Sequence, residues 1–321
     1  MRDDEYLRLI DSTIVRSQRR PPGLPAVRAM TGALSALAPS VAARLAERWF
    51  LTPPRARRPA SEVALMAAAE ARPVRVDGDT RVETWRWGRG PAVLLAHGWG
   101  GRGTQLGALV EPLVAHGLSI VTFDAPGHGA APARRVTVPE IVAAVRAVAA
   151  EHGPFAAVIA HSAGAVVATR ALYEGLETHA AVFLAPAADL AGPAEWFAEE
   201  LGFSRRVRQA MRERIERRVG MPWSAFRVPA LAPALAVPLL VIHDRDDAEV
   251  PWQHGRAVAG AWAGADLVTT GGLGHRRLLR DPDVVAATVA FVAARVAERR
   301  QAVAPPRGGA RAVAVSAPRA G

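Results

Sequence analysis

Short apolar runs alternate along the chain with longer segments in which apolar residues recur every three or four positions. The short runs predict buried strands and the longer segments predict amphipathic helices. This alternation of strand and helix favours a parallel sheet with helices packed on its faces. The predicted strands lie at 92–96, 119–123, 156–160, 181–184, 239–242 and 267–270, and the predicted helices at 105–116, 138–151, 163–174, 252–262 and 282–299.

Breaks in the alternation suggest three parts. Residues 1–72 predict a helical N-terminal extension, with helices at 42–51 and 61–71. Residues 73–300 predict the main domain, which opens with a β-hairpin. Residues 301–321 are rich in Pro, Gly, Ala and Arg without any period, so a disordered tail is expected there.

One segment of the main domain, residues 186–235, separates two predicted strands by far more than a simple crossover needs. Trp196, Phe197 and Met211 supply apolar surface along it, and arginines crowd positions 205–218. Two interpretations of these arginines remain open. In the first interpretation, the arginines face an anionic substrate. In the second, they lie on a solvated helix face and pair with the nearby Glu213 and Glu216.

The strand predicted at 156–160 runs through His161 and Ser162 directly into a helix. Small residues at Ala160 and Gly164 would let the strand and the helix pass at contact distance, which pushes Ser162 outward at the apex of the turn. Free N–H groups at the start of a helix favour negative charge beside that hydroxyl. The pattern predicts a nucleophilic serine, and a simple helix N-cap is the alternative.

A serine nucleophile needs a base and an acid that orients the base. His275 follows the strand predicted at 267–270. Acids and a histidine that follow neighbouring strands can converge on one point above the sheet edge. Position alone leaves open which acid serves, because four follow the strand at 239–242: Asp244, Asp246, Asp247 and Glu249.

Together these motifs resemble the α/β-hydrolase fold family over about residues 73–298. The resemblance implies a mostly parallel sheet of about eight strands flanked by helices, with a small helical cap at 186–235. Five stretches carry it in the family's order. They are the oxyanion loop at 97–101, the turn at 124–129, the nucleophile elbow at 160–164, the acid loop at 247–251 and the histidine loop at 274–275.

The resemblance also implies roles for individual residues. Ser162 is the nucleophile and His275 the base. Asp247 is the acid, because the family places it three residues before a Val-Pro pair. The main-chain N–H groups of Trp99 and Ala163 form the oxyanion hole.

The implied function is hydrolysis of a small-molecule carboxylic ester or thioester through an acyl-enzyme on Ser162, without a cofactor. Two alternatives stay open, namely acyl transfer to an acceptor other than water and a non-catalytic ligand-binding protein on the same scaffold.

Other histidines receive structural interpretations. We expect His97 and His128 to bond backbone groups in turns, and the His161 side chain to point away from the serine hydroxyl. His243 with the aspartates after it has no spacing typical of metal ligands, so no metal site is expected.

Composition adds limits on partners. The net charge is +10 and all of the basic residues are arginine, but they are spread along the chain without aromatic interleaving, so a composition bias is favoured and no nucleic-acid partner is expected. The sequence has no run of about 18 apolar residues, so no membrane span is predicted. The acidic start at 1–5 argues against a signal peptide, and a cytoplasmic location is the expectation. The sequence does not indicate an oligomeric state.

Overall fold

The structure of the chain is a computed structural model that describes residues 23–303. The first part of the predicted N-terminal extension, 1–22, and nearly all of the predicted tail, 304–321, lie outside the described residues.

One 8-stranded sheet organises the described part of the chain, in the spatial order β1-β2-β4-β3-β5-β6-β7-β8. β2 pairs antiparallel with both β1 and β4, and every other pairing is parallel. The predicted, mostly parallel sheet of about eight strands is therefore confirmed. The strands are β1 (Glu70–Asp77), β2 (Thr80–Trp87), β3 (Ala92–Ala96), β4 (Ser119–Phe123), β5 (Phe155–His161), β6 (Ala181–Leu184), β7 (Leu239–Asp244) and β8 (Asp266–Thr270).

Central strands of this sheet are apolar along their whole length because both of their faces are covered. Every residue of β3, β4, β5, β6 and β7 is buried. The edge strand β8 has no fully buried residue, and its sequence is correspondingly more polar. One apolar core lies on each face of the sheet.

Helices cover both faces of the sheet and build a separate layer above its carboxyl edge. They are α1 (Leu24–Leu37), α2 (Pro39–Phe50), α3 (Ala60–Ala67), α4 (Val110–Ala115), α5 (Val138–His152), α6 (Ala163–Tyr173), α7 (Ala191–Glu200), α8 (Arg205–Val219), α9 (Val228–Leu231), α10 (Trp252–Ala261), α11 (Gly274–Arg277) and α12 (Pro282–Val303). Local signals explain several boundaries. A capping box between Thr137 and Glu140 begins α5, and Gly220 in the left-handed region ends α8.

Two predicted helices differ from the structure. The helix expected at 61–71 ends at Ala67, and Glu70 and Ala71 instead begin β1 by pairing with Arg86 and Trp85. Pairing across the hairpin overrides local helix propensity at these two residues. The helix expected at 105–116 is split into a 3₁₀ segment, Gly103–Leu109, followed by α4.

The segment 186–235, which we call the cap, contains α7, α8 and α9. It packs against α2 rather than standing alone. Ala42, Ala43 and Ala46 of α2 are buried in one cluster with Val207 and Met211 of α8. Small side chains on α2 let the two helices approach closely, so the N-terminal helices and the cap form one layer.

A buried carboxylate fixes this helix pair. Glu47 on α2 is 1% exposed, and its two oxygens accept hydrogen bonds of 2.6 Å from Arg214 and Arg218 on α8. Burial raises the pKa of Glu47, but these two arginine hydrogen bonds outweigh burial and leave the pKa lowered. The carboxylate thus stays charged at the interface.

The cap arginines agree with the helix-face interpretation only in part. Arg217 does pair with Glu213, at 3.8 Å along the same helix. Glu216 instead accepts the backbone N–H of Trp223. Arg214 and Arg218 bond Glu47, on a helix more than 150 residues earlier in the chain.

Within residues 23–303, none of the helices is both long enough and apolar enough to cross a membrane.

Replacing the buried carboxylate should loosen the cap. We expect Glu47→Gln to lower the free energy of unfolding by about 1–3 kcal/mol, because two half-exposed arginines then lose the charge partner that they share. The matched control is Glu213→Gln, which removes an exposed pair and should change stability by less than about 1 kcal/mol. Urea denaturation of both variants measures the difference, and equal effects would contradict the role of Glu47.

Candidate active site

The predicted elbow is formed where β5 meets α6. Ser162 has φ 56° and ψ −125°, a conformation that residues other than glycine rarely adopt. Its backbone N–H donates to the carbonyl of Leu184 at 3.1 Å, and its own carbonyl accepts from Ala187 at 3.1 Å. These bonds to β6 and to the chain after it hold the strained residue in place.

Two glycines allow the close packing around Ser162. A Cβ atom at Gly164 would lie 2.7 Å from the His97 carbonyl oxygen, and one at Gly98 would lie 2.9 Å from the Ser162 Cβ. No side chain fits at either distance. The loop at 97–101, for which the resemblance implies the role of oxyanion loop, is therefore pressed directly against the serine turn.

The four candidate acids in the loop after β7 differ in their hydrogen-bond partners. Asp244 accepts hydrogen bonds from Thr270 and Leu273 and so ties this loop to the loop after β8. Asp246 accepts the N–H of Gly272, and Glu249 pairs with Arg276 at the surface. Among the four, it is the Oδ2 atom of Asp247 that lies 2.7 Å from His275 Nδ1.

The carboxylate of Asp247 is 2% exposed and fully hydrogen-bonded. Its Oδ1 atom accepts the N–H groups of Glu249 and Val250 at 2.8 and 2.9 Å. Burial raises the pKa of Asp247, but hydrogen bonds from His243 and His275 outweigh burial and hold that pKa far below its usual range. Asp247 is therefore ionised at neutral pH and accepts, rather than donates, toward His275.

His243 is a partner of Asp247 that the sequence reasoning did not identify. Its Nε2 atom lies 2.8 Å from the Val250 carbonyl and 3.3 Å from Asp247 Oδ2. The only sequence signal was its position at the end of a buried strand, next to the acid loop. It braces the same loop that presents Asp247 to His275.

His275 is buried on the short helix α11, and it packs against the residue that precedes the serine. The rings of His161 and His275 have centroids 4.5 Å apart, and His161 Nε2 lies 3.2 Å from the His275 carbonyl oxygen. Burial, followed by the proximity of His275, lowers the pKa of His161 well below its usual value. His161 is thus a neutral support for the histidine loop.

The structure brings the predicted site residues together in two groups. Asp247 and His275 share a direct hydrogen bond, and Ser162 lies with Ala163 and Trp99 on the wall of one pocket. Within residues 23–303, Ser162 Oγ forms no hydrogen bond with His275, and His161, which precedes Ser162, contacts His275 through its ring and through the His275 carbonyl oxygen.

His97 and His128 occupy the turns expected for them. His97 Nε2 accepts the N–H of Ala125 at 3.1 Å, and His128 Nδ1 lies 2.9 Å from the Pro126 carbonyl oxygen. Burial, then the neighbouring His97, lowers the pKa of His128 to about 3. Both rings are structural elements of the wall behind Trp99.

A pocket of about 510 Å³ opens in front of Ser162. Its walls come from α2, from the cap and from the acid loop, and His254 at the start of α10 also lines it. Phe50 of α2 is central to the wall, because its ring contacts those of Trp99, Phe197 and Trp223 at centroid distances of 6.2, 5.6 and 6.2 Å. No sequence motif marked Phe50, since it lies outside the segment that carries the resemblance.

The described residues, 23–303, contain no group of three or more His, Asp or Glu side chains arranged to hold a metal ion.

The sheet order, the strained serine between β5 and α6 and the buried Asp–His pair after β7 and β8 define an α/β-type hydrolase architecture. A profile described as the alpha/beta hydrolase family matches residues 93–288, which is more than half of the chain. The chain belongs to the alpha/beta hydrolase family.

Solved structures support the same fold. Rv0554 from Mycobacterium tuberculosis is 22% identical, covers 70% of this chain and 99% of its own, and has a TM-score of 0.55. Est1E from Butyrivibrio proteoclasticus, solved with ferulic acid bound, is 20% identical over 72% of this chain and 100% of its own, with a TM-score of 0.53. A monoacylglycerol lipase from Paleococcus ferrophilus is 18% identical over 67% of this chain and 100% of its own, with a TM-score of 0.53. No curated protein matches the sequence significantly.

Buried neutral histidines should make the fold sensitive to acid. Because the folded-state pKa of His128 is about 3 and an unfolded histidine titrates near 6.5, the stability that this residue contributes is complete above pH 6.5 and is lost as the pH falls toward 3. The expected slope is about 1.4 kcal/mol per pH unit for one such histidine.

His128→Gln removes this titration. Between pH 6 and pH 4, the free energy of unfolding of the variant should therefore fall less steeply with decreasing pH, by about 1.4 kcal/mol per pH unit. Urea denaturation at several pH values gives the two slopes, and the comparison at pH 8 separates out any change in packing. Parallel slopes for the two proteins would rule out a neutral buried His128.

Proposed function

We propose that the protein is a serine hydrolase that cleaves carboxylic esters or thioesters through an acyl-enzyme on Ser162. The observation that carries this proposal is the buried Asp247–His275 hydrogen bond of 2.7 Å, next to a serine held in an elbow conformation on the wall of a pocket. An ionised acid that orients a histidine beside such a serine is the arrangement that acyl transfer requires.

In the first step, His275 accepts the hydroxyl proton of Ser162 while Oγ attacks the carbonyl carbon. Asp247 holds the Nδ1–H tautomer, so that Nε2 is free to act as the base, and it stabilises the positive ring that forms. The contact between nucleophile and base is often long in a free enzyme and shortens when substrate binds.

The tetrahedral oxyanion would lie at the start of α6, where the N–H group of Ala163 is not needed for helix bonding. A second donor is proposed from Trp99, because the loop at 97–101 is pressed against Ser162 and Trp99 lines the same pocket.

Collapse of this intermediate breaks the bond from the carbonyl carbon to the leaving oxygen or sulfur, and His275 returns the proton to that leaving group. Water then repeats the attack on the acyl-enzyme, with His275 again as the base. This second half restores Ser162 and releases the acid.

The pocket suits an apolar acyl group. Its lining is largely aromatic and aliphatic, and Phe50, Trp99, Phe197 and Trp223 stand together on one side of it. The esterase that binds ferulic acid and the monoacylglycerol lipase share this fold, and they support an ester as the substrate class.

Labelling with a fluorophosphonate probe tests the nucleophile. We expect a covalent adduct on the intact chain at Ser162 and none on Ser162→Ala, together with a loss of esterase activity of about 10⁶-fold. Asp247→Asn should retain some labelling but lose about 10⁴-fold in kcat, because the histidine then takes the wrong tautomer.

Asp246→Asn is the matched control, since Asp246 lies in the same loop and bonds Gly272 rather than His275. The variant should keep its activity within about threefold of that of the unchanged protein, because Asp246 is not part of the Asp247–His275 pair. Equal labelling of the intact chain and of Ser162→Ala would refute the proposed nucleophile.

Phe50 should set the size of acyl group that the enzyme accepts. Phe50→Ala opens the aromatic wall, so the ratio of kcat/KM for octanoyl to acetyl p-nitrophenyl esters should change by about tenfold or more in favour of the longer chain. Phe291→Ala on α12, which packs in the core on the other side of the sheet, controls for a general loss of packing. An identical chain-length profile in both variants would exclude Phe50 as a specificity residue.

A further inference from the structure

A second and larger space lies beside the proposed acyl pocket. This groove has a volume of about 1050 Å³ and is more open to solvent. Trp49, Thr52, Pro54 and Phe197 line both the groove and the pocket. The two spaces therefore adjoin along these side chains, most of which belong to α2 and the residues just after it.

The groove has a distinct charge. Its ionisable lining consists of one carboxylate, Glu47, and a set of arginines: Arg44, Arg48, Arg134, Arg135 and Arg214. The acyl pocket shows the opposite pattern, because its ionisable lining consists of Glu216, Glu249 and His254.

Internal carboxylates neutralise only part of this arginine set. Arg214 binds Glu47, and Arg134 binds Glu140. Arg135 lies 4.0 Å from Glu47, whose two oxygens already accept hydrogen bonds from the cap.

Arg44 and Arg48 have no carboxylate partner within residues 23–303. They stand one turn apart on α2, so their like charges also repel each other. On α7, Glu195 binds Arg208 and Glu200 faces Arg28. The groove thus keeps an excess of guanidinium groups directed at open space.

We propose that this groove binds a phosphate group on the leaving part of the substrate, so that the enzyme acts on acyl thioesters or esters of phosphate-bearing thiols and alcohols. The proposal rests on the function proposed above and names its substrate class. Guanidinium groups bind phosphate oxygens in pairs, and the shared wall lets one molecule place its acyl chain in the pocket and its phosphate in the groove.

Three thioesters of the same acyl group test the assignment. Hexanoyl-coenzyme A carries nucleotide phosphates, hexanoyl-phosphopantetheine carries one phosphate, and hexanoyl-pantetheine carries none. We expect both phosphate-bearing thioesters to have a kcat/KM at least about tenfold above that of the neutral one. A difference between the first two would show whether the nucleotide or the single phosphate is the group recognised.

The variant Arg44→Gln with Arg48→Gln should remove this preference and leave turnover of the neutral thioester within about twofold. Both side chains are exposed, so the fold should be kept. The control is Arg81→Gln with Arg89→Gln, which removes the same charge from exposed positions outside the groove.

Binding to the groove can be measured apart from turnover in Ser162→Ala, with and without the groove substitutions. Calorimetry compares the affinity of coenzyme A with that of pantetheine. Tighter binding of coenzyme A that is lost only in the groove variant supports the proposal. Equal binding of the two compounds, or equal loss in the control variant, would overturn it even if the enzyme proves to be an active esterase. Failure of esterase activity with intact coenzyme A binding would instead count against the proposed function alone.

Discussion

The hydrogen bond between Asp247 and His275 is the interaction on which the site depends. A carboxylate buried to this degree is stable in its charged form only when its oxygens are fully bonded. Asp247 meets that condition with two backbone N–H groups on one oxygen and His275 on the other, with His243 beside it. The bond therefore joins the loops after β7 and β8, which Asp244 also ties together.

A second buried carboxylate organises the layer above the site. Glu47 joins α2 to α8, and the small side chains of Ala42, Ala43 and Ala46 let the two helices come into contact. This contact brings Phe50 to the wall of the pocket, where it stacks on Trp99 of the loop pressed against Ser162. A helix outside the matched family segment at 93–288 thus completes the proposed binding site.

Sequence reasoning predicted the parts of the molecule in which short-range pattern and long-range structure agree. The buried strands are apolar throughout, and the elbow is marked by Ala160 and Gly164, so the fold was predicted and is confirmed by the sheet and the family match. It failed at Glu70 and Ala71, where pairing with β2 overrides a helical pattern. Of the predicted partners of the cap arginines, Glu213 does pair with Arg217, but the bonds to Glu47 were not predicted, because Glu47 is distant in sequence and nothing local marks it as buried.

The difference between local patterns and long-range contacts also explains why the sequence indicates Asp247 but does not indicate Phe50. Asp247 follows a strand, and strand ends in a parallel sheet converge at one edge, so a few residues after each strand must lie near the site. Phe50 reaches the site only through a helix–helix contact whose register depends on Ala42, Ala46 and Glu47 together.

The groups proposed for chemistry and those proposed for specificity are therefore held in place separately. The loops that carry Asp247 and His275 are fixed by the sheet, whereas the walls of the pocket and of the arginine groove are fixed by the contact of α2 with the cap. A substitution on α2 can consequently alter which molecule fits without moving the groups proposed to react with it. Because Trp49 and Phe50 are adjacent on that helix and Trp49 lines both spaces, a change in the tilt of α2 would alter the groove and the pocket together.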